Sequence, residues 1–267
     1  MSTPSPAAIA EPGVTLSVAD GIAVLTLDRP QRFNTLTSAV IAEVSAQLAA
    51  LASDPRARVL ILAATGKAFS TGHDLKEMNA NRDEDFYRTL LADCSKMMQA
   101  IVALPQPVIA QVQGIATAAG CQLVATCDLA VAARSARFAT NGIQNGLYCA
   151  TPAVAVSRTV ARKHALEMLL TGDFIDAERA AQIGLVNHVV DDEDLERATR
   201  NLARRIADKS QFAVRLGKAS YYRQADQGLD GAYRSASADL VCNLMSADGQ
   251  EGISAFIEKR PPVWTDE

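Results

Sequence analysis

The sequence predicts an α/β fold built on parallel strands, and three observations point there. Short, continuously apolar runs at Arg58–Ala64 and Val108–Val112 have the character of strands buried on both faces, as parallel sheets require. Each run feeds a glycine-bearing loop and then a new element, so strand, loop and helix alternate in a similar phase with no detectable sequence repeat. Beyond Asn187–Val190 the β pattern stops and helical periodicity takes over. Periodicity alone fits both a flat doubly wound sheet and a spiral of stacked turns.

The elements follow in order. Val14–Val18 and Ile22–Leu27 flank Ala19-Asp20-Gly21, and Asp-Gly is a hairpin signal because glycine tolerates the positive φ of a tight turn. Asp28-Arg29-Pro30 ends the second strand. Thr37 then caps a helix whose Val40, Ile41, Val44 and Leu48 recur at helical spacing. After the strand at Arg58–Ala64, a long helix over Asp83–Leu104 is stopped by Pro105 and Pro107. The strand Val108–Val112, a helix over Ala118–Thr126 and the strand Leu129–Ala132 come next. Asp192–Ala207, Ser210–Gln224, Leu229–Met245 and Gly249–Glu258 read as C-terminal helices, a layer suited to an oligomer interface. The expected organisation is a tail over 1–13, a core over 14–200 and a helical layer over 201–267. Phe212, Val214, Leu216 and Tyr221 are expected as core residues of that layer.

Composition bounds the function. With 267 residues, 49% of them hydrophobic and 21% charged, the chain can bury one sizeable core. A net charge of −4 argues against a nucleic-acid partner. Five cysteines, an odd number with no Cys-x-x-Cys pair, argue against a disulfide framework or a zinc site, and all are expected to be reduced and buried. No run is long enough to span a membrane. Met1–Gly13 carries no Lys or Arg, unlike a signal or transit peptide, so the expected location is the cytoplasm.

Two segments carry the chemistry: Gly66-Lys67-Ala68-Phe69-Ser70-Thr71-Gly72-His73-Asp74-Leu75 and Gly114-Ile115-Ala116-Thr117-Ala118-Ala119-Gly120-Cys121-Gln122-Leu123. Their small residues let a ligand approach the backbone. Together they can aim two main-chain N–H groups at one carbonyl oxygen, which stabilises an enolate or a tetrahedral oxyanion. Around them, Gln111–Cys127 and Ser135–Ala150 hold no Asp, Glu, His or Lys.

These segments stand among further ordered motifs: Leu27-Asp28-Arg29-Pro30-Gln31-Arg32-Phe33-Asn34, Cys127-Asp128-Leu129, Leu170-Thr171-Gly172, Ala180–Val186 and Glu251–Arg260. The set resembles the crotonase superfamily, the enoyl-CoA hydratase/isomerase proteins, over nearly the whole chain beyond the tail. Within it the likeness is strongest to a branch that carries Gly-His-Asp-Leu-Lys-Glu and Ala-Thr-Ala-Ala-Gly-Cys-Gln-Leu-Val-Ala. The resemblance implies a spiral of stacked ββα turns with a C-terminal α-helical trimerisation layer. It also implies an acyl-CoA thioester as substrate in fatty-acid or acyl-CoA metabolism. Coenzyme A then enters as part of the substrate, with no permanently bound cofactor and no metal. Similar proteins form homotrimers or dimers of trimers.

The same resemblance assigns roles. The oxyanion donors are the N–H groups of His73 and Ala119, with Gly72 and Gly120 allowing close approach, and the His73 imidazole lines the acyl pocket. Asp74 caps the turn that follows. Ala68 and Leu75 share the CoA-binding stretch, and Arg29, Arg32, Lys67 and Lys76 border the adenosine and phosphates. Phe256 and Lys259 reach the site from a neighbouring subunit, while Glu77, Asp83 and Glu84 border the acyl pocket. His164 and His188 are expected to be structural or exposed.

Two departures decide the expected activity. Family hydratases use two glutamates, and here those positions are Gln122 and Gly142. An amide exchanges no proton near neutral pH, and each general acid or base is worth about 10²–10⁴-fold. Ordinary hydration is expected to be crippled, and Gln122→Glu with Gly142→Glu is expected to raise it. Decarboxylation of a malonyl-type thioester needs no base, and some superfamily decarboxylases pair a histidine in the first loop with a later tyrosine, here Tyr148. The contrasting expectation is a catalytically silent acyl-CoA-binding protein.

Overall fold

In the computed structural model, which describes residues 13–266, the chain opens on the expected hairpin. The tail expected over 1–13 lies outside the described residues except for Gly13. Asp20 and Gly21 take φ of 51° and 79° and join β1 (Val14–Ala19) to β2 (Ile22–Leu27). Positive φ at both central positions matches the right-handed twist of the paired strands, which run antiparallel with Val14 opposite Leu27. Thr37 caps α1 (Ser38–Ala52) by accepting the Val40 N–H, and α1 buries Val40, Ile41, Val44, Leu48 and Leu51. β3 (Val59–Ala64), β4 (Ala68–Ser70) and α2 (Leu75–Ala80) follow. Asp83 caps α3 (Glu84–Ala103), which leads to β5 (Val108–Val112), β6 (Ile115–Thr117) and α4 (Ala119–Thr126). Then come β7 (Leu129–Ala133), β8 (Arg137–Ala139), α5 (Ala150–Thr159), α6 (Arg162–Thr171), β9 (Ile175–Asp176), α7 (Ala177–Gln182) and β10 (His188–Val190). The chain ends in α8 (Leu195–Ala207), α9 (Gln211–Ala225), α10 (Leu229–Met245) and α11 (Ala247–Glu258).

Sheet order settles the choice that periodicity left open. One six-stranded sheet runs β1-β2-β3-β5-β7-β10, parallel beyond the hairpin, and a second runs β4-β6-β8-β9. Strands adjacent in sequence, β3 and β4, β5 and β6, β7 and β8, therefore enter different sheets. Each circuit of the chain adds one strand to each sheet, and the result is the crotonase spiral. Strands β4, β6 and β8 are three residues each, too short to show a period.

The continuous apolar character of β3, β5 and β7 has its cause in this packing. On one face Leu60, Leu62, Val108, Ala110 and Val112 meet α1, α3 and α4 through Val44, Met97 and Leu123. On the other, Val59, Ile61, Ile109 and Val131 pack against Leu195, Ala203 and Ala207 of α8. Helix α8 thus belongs to the core and runs straight through the boundary expected at 200/201. The layer that stands off the sheet starts at α9.

That layer corrects two expectations. Phe212, Val214 and Leu216 are half-buried and Tyr221 is exposed, so they are not core residues within one chain. Cys242 is exposed on α10, while Cys94, Cys121, Cys127 and Cys149 are buried; all five are free thiols. The physical reason is shared: α9–α11 turn only part of their apolar surface toward their own chain. Tyr233, Leu240, Val241, Met245, Phe256 and Ile257 remain exposed.

One buried ion pair fixes α9. Lys218 Nζ lies 2.7 Å from the Asp128 carboxylate and donates to the carbonyls of Ile101 (3.0 Å) and Gln106 (3.1 Å). Asp128 also accepts the Val108 N–H at 2.6 Å and the Tyr222 hydroxyl at 2.8 Å. Burial lowers the Lys218 pKa against the opposing pull of Asp128. Removing Lys218 strands a buried carboxylate, so Lys218→Met is expected to lose about 3–5 kcal/mol in urea unfolding. Tyr222→Phe, which deletes one hydrogen bond, is expected to lose about 1 kcal/mol.

Candidate active site

The segment after β2 clamps the first loop. Asn34, buried and at a φ of 51°, accepts the Arg29 N–H at 2.8 Å and donates to the carbonyls of Thr65 and Ala68, both at 2.8 Å. Ser70 donates its hydroxyl to the Asn34 carbonyl at 2.8 Å. Leu36 then forms a parallel bridge with His73: the Leu36 N–H donates to Gly72 at 2.8 Å, and the Asp74 N–H donates to Leu36 at 3.4 Å. In such a bridge the central residue's own N–H faces the other way. The His73 N–H accordingly has no partner among the described residues.

The second loop is held by β8. Ala118 donates its N–H to the Ala139 carbonyl at 3.0 Å, and α4 starts at the next residue. As a first helical residue Ala119 has no intrahelical acceptor, and its N–H has no partner among the described residues. The loops meet backbone to backbone. A β-carbon on Gly72 (φ 83°) would lie 2.9 Å from the Ala119 nitrogen, and one on Gly120 would lie 2.0 Å from the Ser70 carbonyl oxygen. Glycine is required at both places, and the first contact sets the residue before His73 against the Ala119 nitrogen.

The side chains around them are uncharged. His73 is half-buried, its Nε2 is buried without a partner among the described residues, and burial lowers its pKa. Gln122 lies one helical turn from Ala119, on the same face of α4. It is 5% exposed, with Oε1 unpartnered among the described residues. Gly142, in the short helical turn Asn141–Asn145, does not face the empty space a missing side chain suggests. A β-carbon there would meet the Leu147 carbonyl oxygen at 2.6 Å and Cys149 Sγ at 2.9 Å. Burial pushes the Cys149 thiol up, against a hydrogen bond from the Gly142 N–H, and burial with nearby Cys149 pushes Cys121 up to about 12. Both thiols stay protonated at neutral pH.

The remaining predicted residues divide by position. Asp74 caps α2 by accepting the Lys76 and Glu77 N–H groups at 2.9 and 3.2 Å, and it also accepts the Thr35 hydroxyl at 3.0 Å. Burial opposes its charge, but these bonds outweigh burial and hold its pKa below the ordinary carboxylate value. Ala68 is buried and works through its carbonyl; Leu75 is exposed. Arg29 reaches the Thr37 hydroxyl at 3.3 Å, while Arg32, Lys67 and Lys76 are exposed, and none of the four forms an ion pair among the described residues. Glu77 accepts the Ser38 N–H, Asp83 caps α3 and Glu84 pairs with Arg88. Tyr148 is exposed, and its hydroxyl makes no hydrogen bond among the described residues. Phe256 and Lys259 are exposed on and just after α11, which packs on α9 and α10, so one chain does not assemble them with His73. His164 contacts Arg179 at 3.1 Å and His188 is exposed on β10, both outside the site. No group of three or more His, Cys, Asp or Glu is placed to hold a metal among the described residues.

Sequence reasoning passed over Asn34 and Ser70 as positioning residues, and over Leu147 and Cys149 as the groups that fill the Gly142 corner. Asn34 had a local signal, because asparagine tolerates left-handed backbone in turns. The Gly142 corner had none: its contacts come from a loop several residues away.

The family model described as enoyl-CoA hydratase/isomerase matches residues 17–267. The chain belongs to that family. It is 46% identical over 254 residues to the Xenopus laevis protein named enoyl-CoA hydratase domain-containing protein 3, mitochondrial, covering 95% of this chain and 86% of that one. The crystal structure of human enoyl-CoA hydratase domain-containing protein 3 superposes with a TM-score of 0.92 at 45% identity, over 94% and 100% of the two chains. An enoyl-CoA hydratase structure from Mycobacterium smegmatis gives a TM-score of 0.93 at 49% identity, over 95% and 99%. The branch likeness read from the sequence is thus to domain-containing protein 3. The cytoplasmic expectation is corrected: the Xenopus and human relatives are named mitochondrial.

Burial of His73 gives stability a pH dependence. Its ordinary pKa is about 6.5, and in the fold it lies lower. As pH falls through about 6.5 the unfolded chain takes up the proton first, so His73 makes the fold progressively less stable toward acid. Melting temperature measured from pH 7.5 to 5 is expected to fall more steeply in the native protein than in His73→Gln.

Proposed function

We propose that the chain binds an acyl-CoA thioester and stabilises its enolate, with the carbonyl oxygen received by the N–H groups of His73 and Ala119. The observation that supports this is the backbone contact of Gly72, the residue before His73, with the Ala119 nitrogen, while neither N–H has an acceptor among the described residues. The N-terminal end of α4 adds partial positive charge at the same point. Membership of the family supports the thioester as ligand. Arg29, Arg32, Lys67 and Lys76 are the proposed partners of the adenosine and phosphates.

The two-glutamate hydration route is not part of the proposal. Gln122 transfers no proton, and Leu147 and Cys149 fill the place a carboxylate at 142 would need. A neutral imidazole beside the oxygen site and the lack of a carboxylate in the flanking segments favour a reaction that forms an enolate without a base. Decarboxylation of a malonyl-type thioester is such a reaction. The bond from the α-carbon to the carboxylate breaks, its electron pair passes into the thioester enolate, carbon dioxide leaves, and a proton is then taken up at the α-carbon. Tyr148 is the proposed contact to the acyl group. The apolar surface on α10 and α11 is proposed to be covered by further copies of the chain in a trimer or a pair of trimers. Phe256 and Lys259 then complete a neighbour's coenzyme A site.

Calorimetry is expected to show binding of butyryl-CoA, and sedimentation a trimer or hexamer. Crotonyl-CoA hydration is expected to fall below that of a two-glutamate relative by at least about 10²-fold, the worth of one acid–base group. Release of carbon dioxide is expected from malonyl- or methylmalonyl-CoA. Gln122→Glu is expected to fold, whereas Gly142→Glu is expected to lose stability because its β-carbon meets Leu147 and Cys149; this corrects the expectation from sequence, and the double variant is expected to gain no hydration. Hydration at an ordinary family rate by the native chain, or no binding of any acyl-CoA, overturns the proposal. Binding with no turnover of either kind leaves a silent acyl-CoA-binding protein.

A further inference from the structure

We infer that Ala118 is a positioning residue: its β-carbon, held in a backbone shape that suits glycine, sets the gap between the amides of His73 and Ala119. This rests on the acyl-thioester reading above and adds a residue that supplies neither of the two proposed donors.

Ala118 has φ 49° and ψ −119°, at the point where β6 gives way to α4. A residue with a β-carbon crowds its own backbone there, while glycine enters that region freely. The shape is held from both sides. The Ala118 N–H donates to Ala139, and the Ala118 carbonyl accepts the Gln122 N–H, each at 3.0 Å. Strain of this kind persists where the surroundings over-determine it. The chain places glycine at 72, 114 and 120, where backbone contacts leave no room for a β-carbon, yet keeps a methyl group at 118.

The methyl group faces the first loop. A β-carbon built on Gly72 would come within 3.0 Å of the Ala118 β-carbon, as well as 2.9 Å from the Ala119 nitrogen. The Ala118 methyl is therefore a spacer between Gly72, whose following N–H is one donor, and Ala119, whose own N–H is the other. With glycine at 118 the peptide between residues 118 and 119 gains other rotations, and the two donors lose their fixed separation.

The test uses the full chain and two ligands, butyryl-CoA and S-butyl-CoA, the thioether that lacks the carbonyl oxygen. The native protein is expected to prefer the thioester. In Ala118→Gly relief of strain is expected to raise the melting temperature by about 2–4 °C. The thioester preference is expected to fall about fivefold, the worth of one neutral hydrogen bond, with thioether affinity unchanged. Ala118→Ser, which keeps the β-carbon, is expected to retain the preference. A preference in Ala118→Gly equal to the native one, an equal loss for both ligands, or a lower melting temperature overturns the inference. No thioester preference in the native protein overturns the acyl-thioester reading itself, a result distinguishable from the others because it does not involve a variant.

Discussion

The contact between two stretches of main chain, Gly72 against Ala119 and Gly120 against the Ser70 carbonyl, is the constraint on which the site depends. Neither contact tolerates a β-carbon, so the identities of both glycines follow from distance. The loops are pinned from behind by different parts of the fold. Asn34 and Leu36 hold the first through hydrogen bonds to Thr65, Ala68, Gly72 and Asp74, and the Ala139 carbonyl holds the second. Every residue of α4 is buried, so its first turn cannot swing away from this junction. Donors fixed in advance need no reorganisation when charge develops on a ligand, and this is what gives such an arrangement its catalytic value.

The residues His73, Gln122, Cys121 and Cys149 in and around the two loops exchange few protons near neutral pH. They are an imidazole kept neutral by burial, a buried amide and thiols whose pKa values are raised, and the Ser70 hydroxyl accepts the Gly72 N–H at 3.3 Å. The charged residues of the first loop do other work: Asp74 caps a helix, and the cations Arg32, Lys67 and Lys76 face solvent. The corner at Gly142 is closed by the turn that follows it. A larger side chain at 142 therefore needs a change in backbone packing as well.

The C-terminal layer joins a rigid attachment to an open surface. Lys218, all of whose donors are used, ties α9 to the ends of α3 and β5 and to Asp128, just before β7. From that anchor α10 and α11 extend Tyr233, Leu240, Val241, Met245, Phe256 and Ile257 into solvent. This exposed apolar set is the surface proposed above to be covered by further copies of the chain.

Whatever depends on neighbours along the chain was legible in the residues. The Asp-Gly hairpin, the Thr37 cap, the apolar strands β3, β5 and β7 and the two small-residue loops could all be read there, since turn geometry, capping and periodicity act over a few residues. The three-residue strands β4, β6 and β8 could not be read, because they carry too few side chains to show a period and are strands only through their partners. Which sheet each strand joins, the packing of α8 on the core, the exposure of Tyr221 and Cys242, and the filling of the Gly142 corner were likewise decided by tertiary structure. All but the Gly142 corner, which is closed by the turn that follows it, depend on surfaces distant in sequence, and pairing and burial are settled only when those surfaces meet.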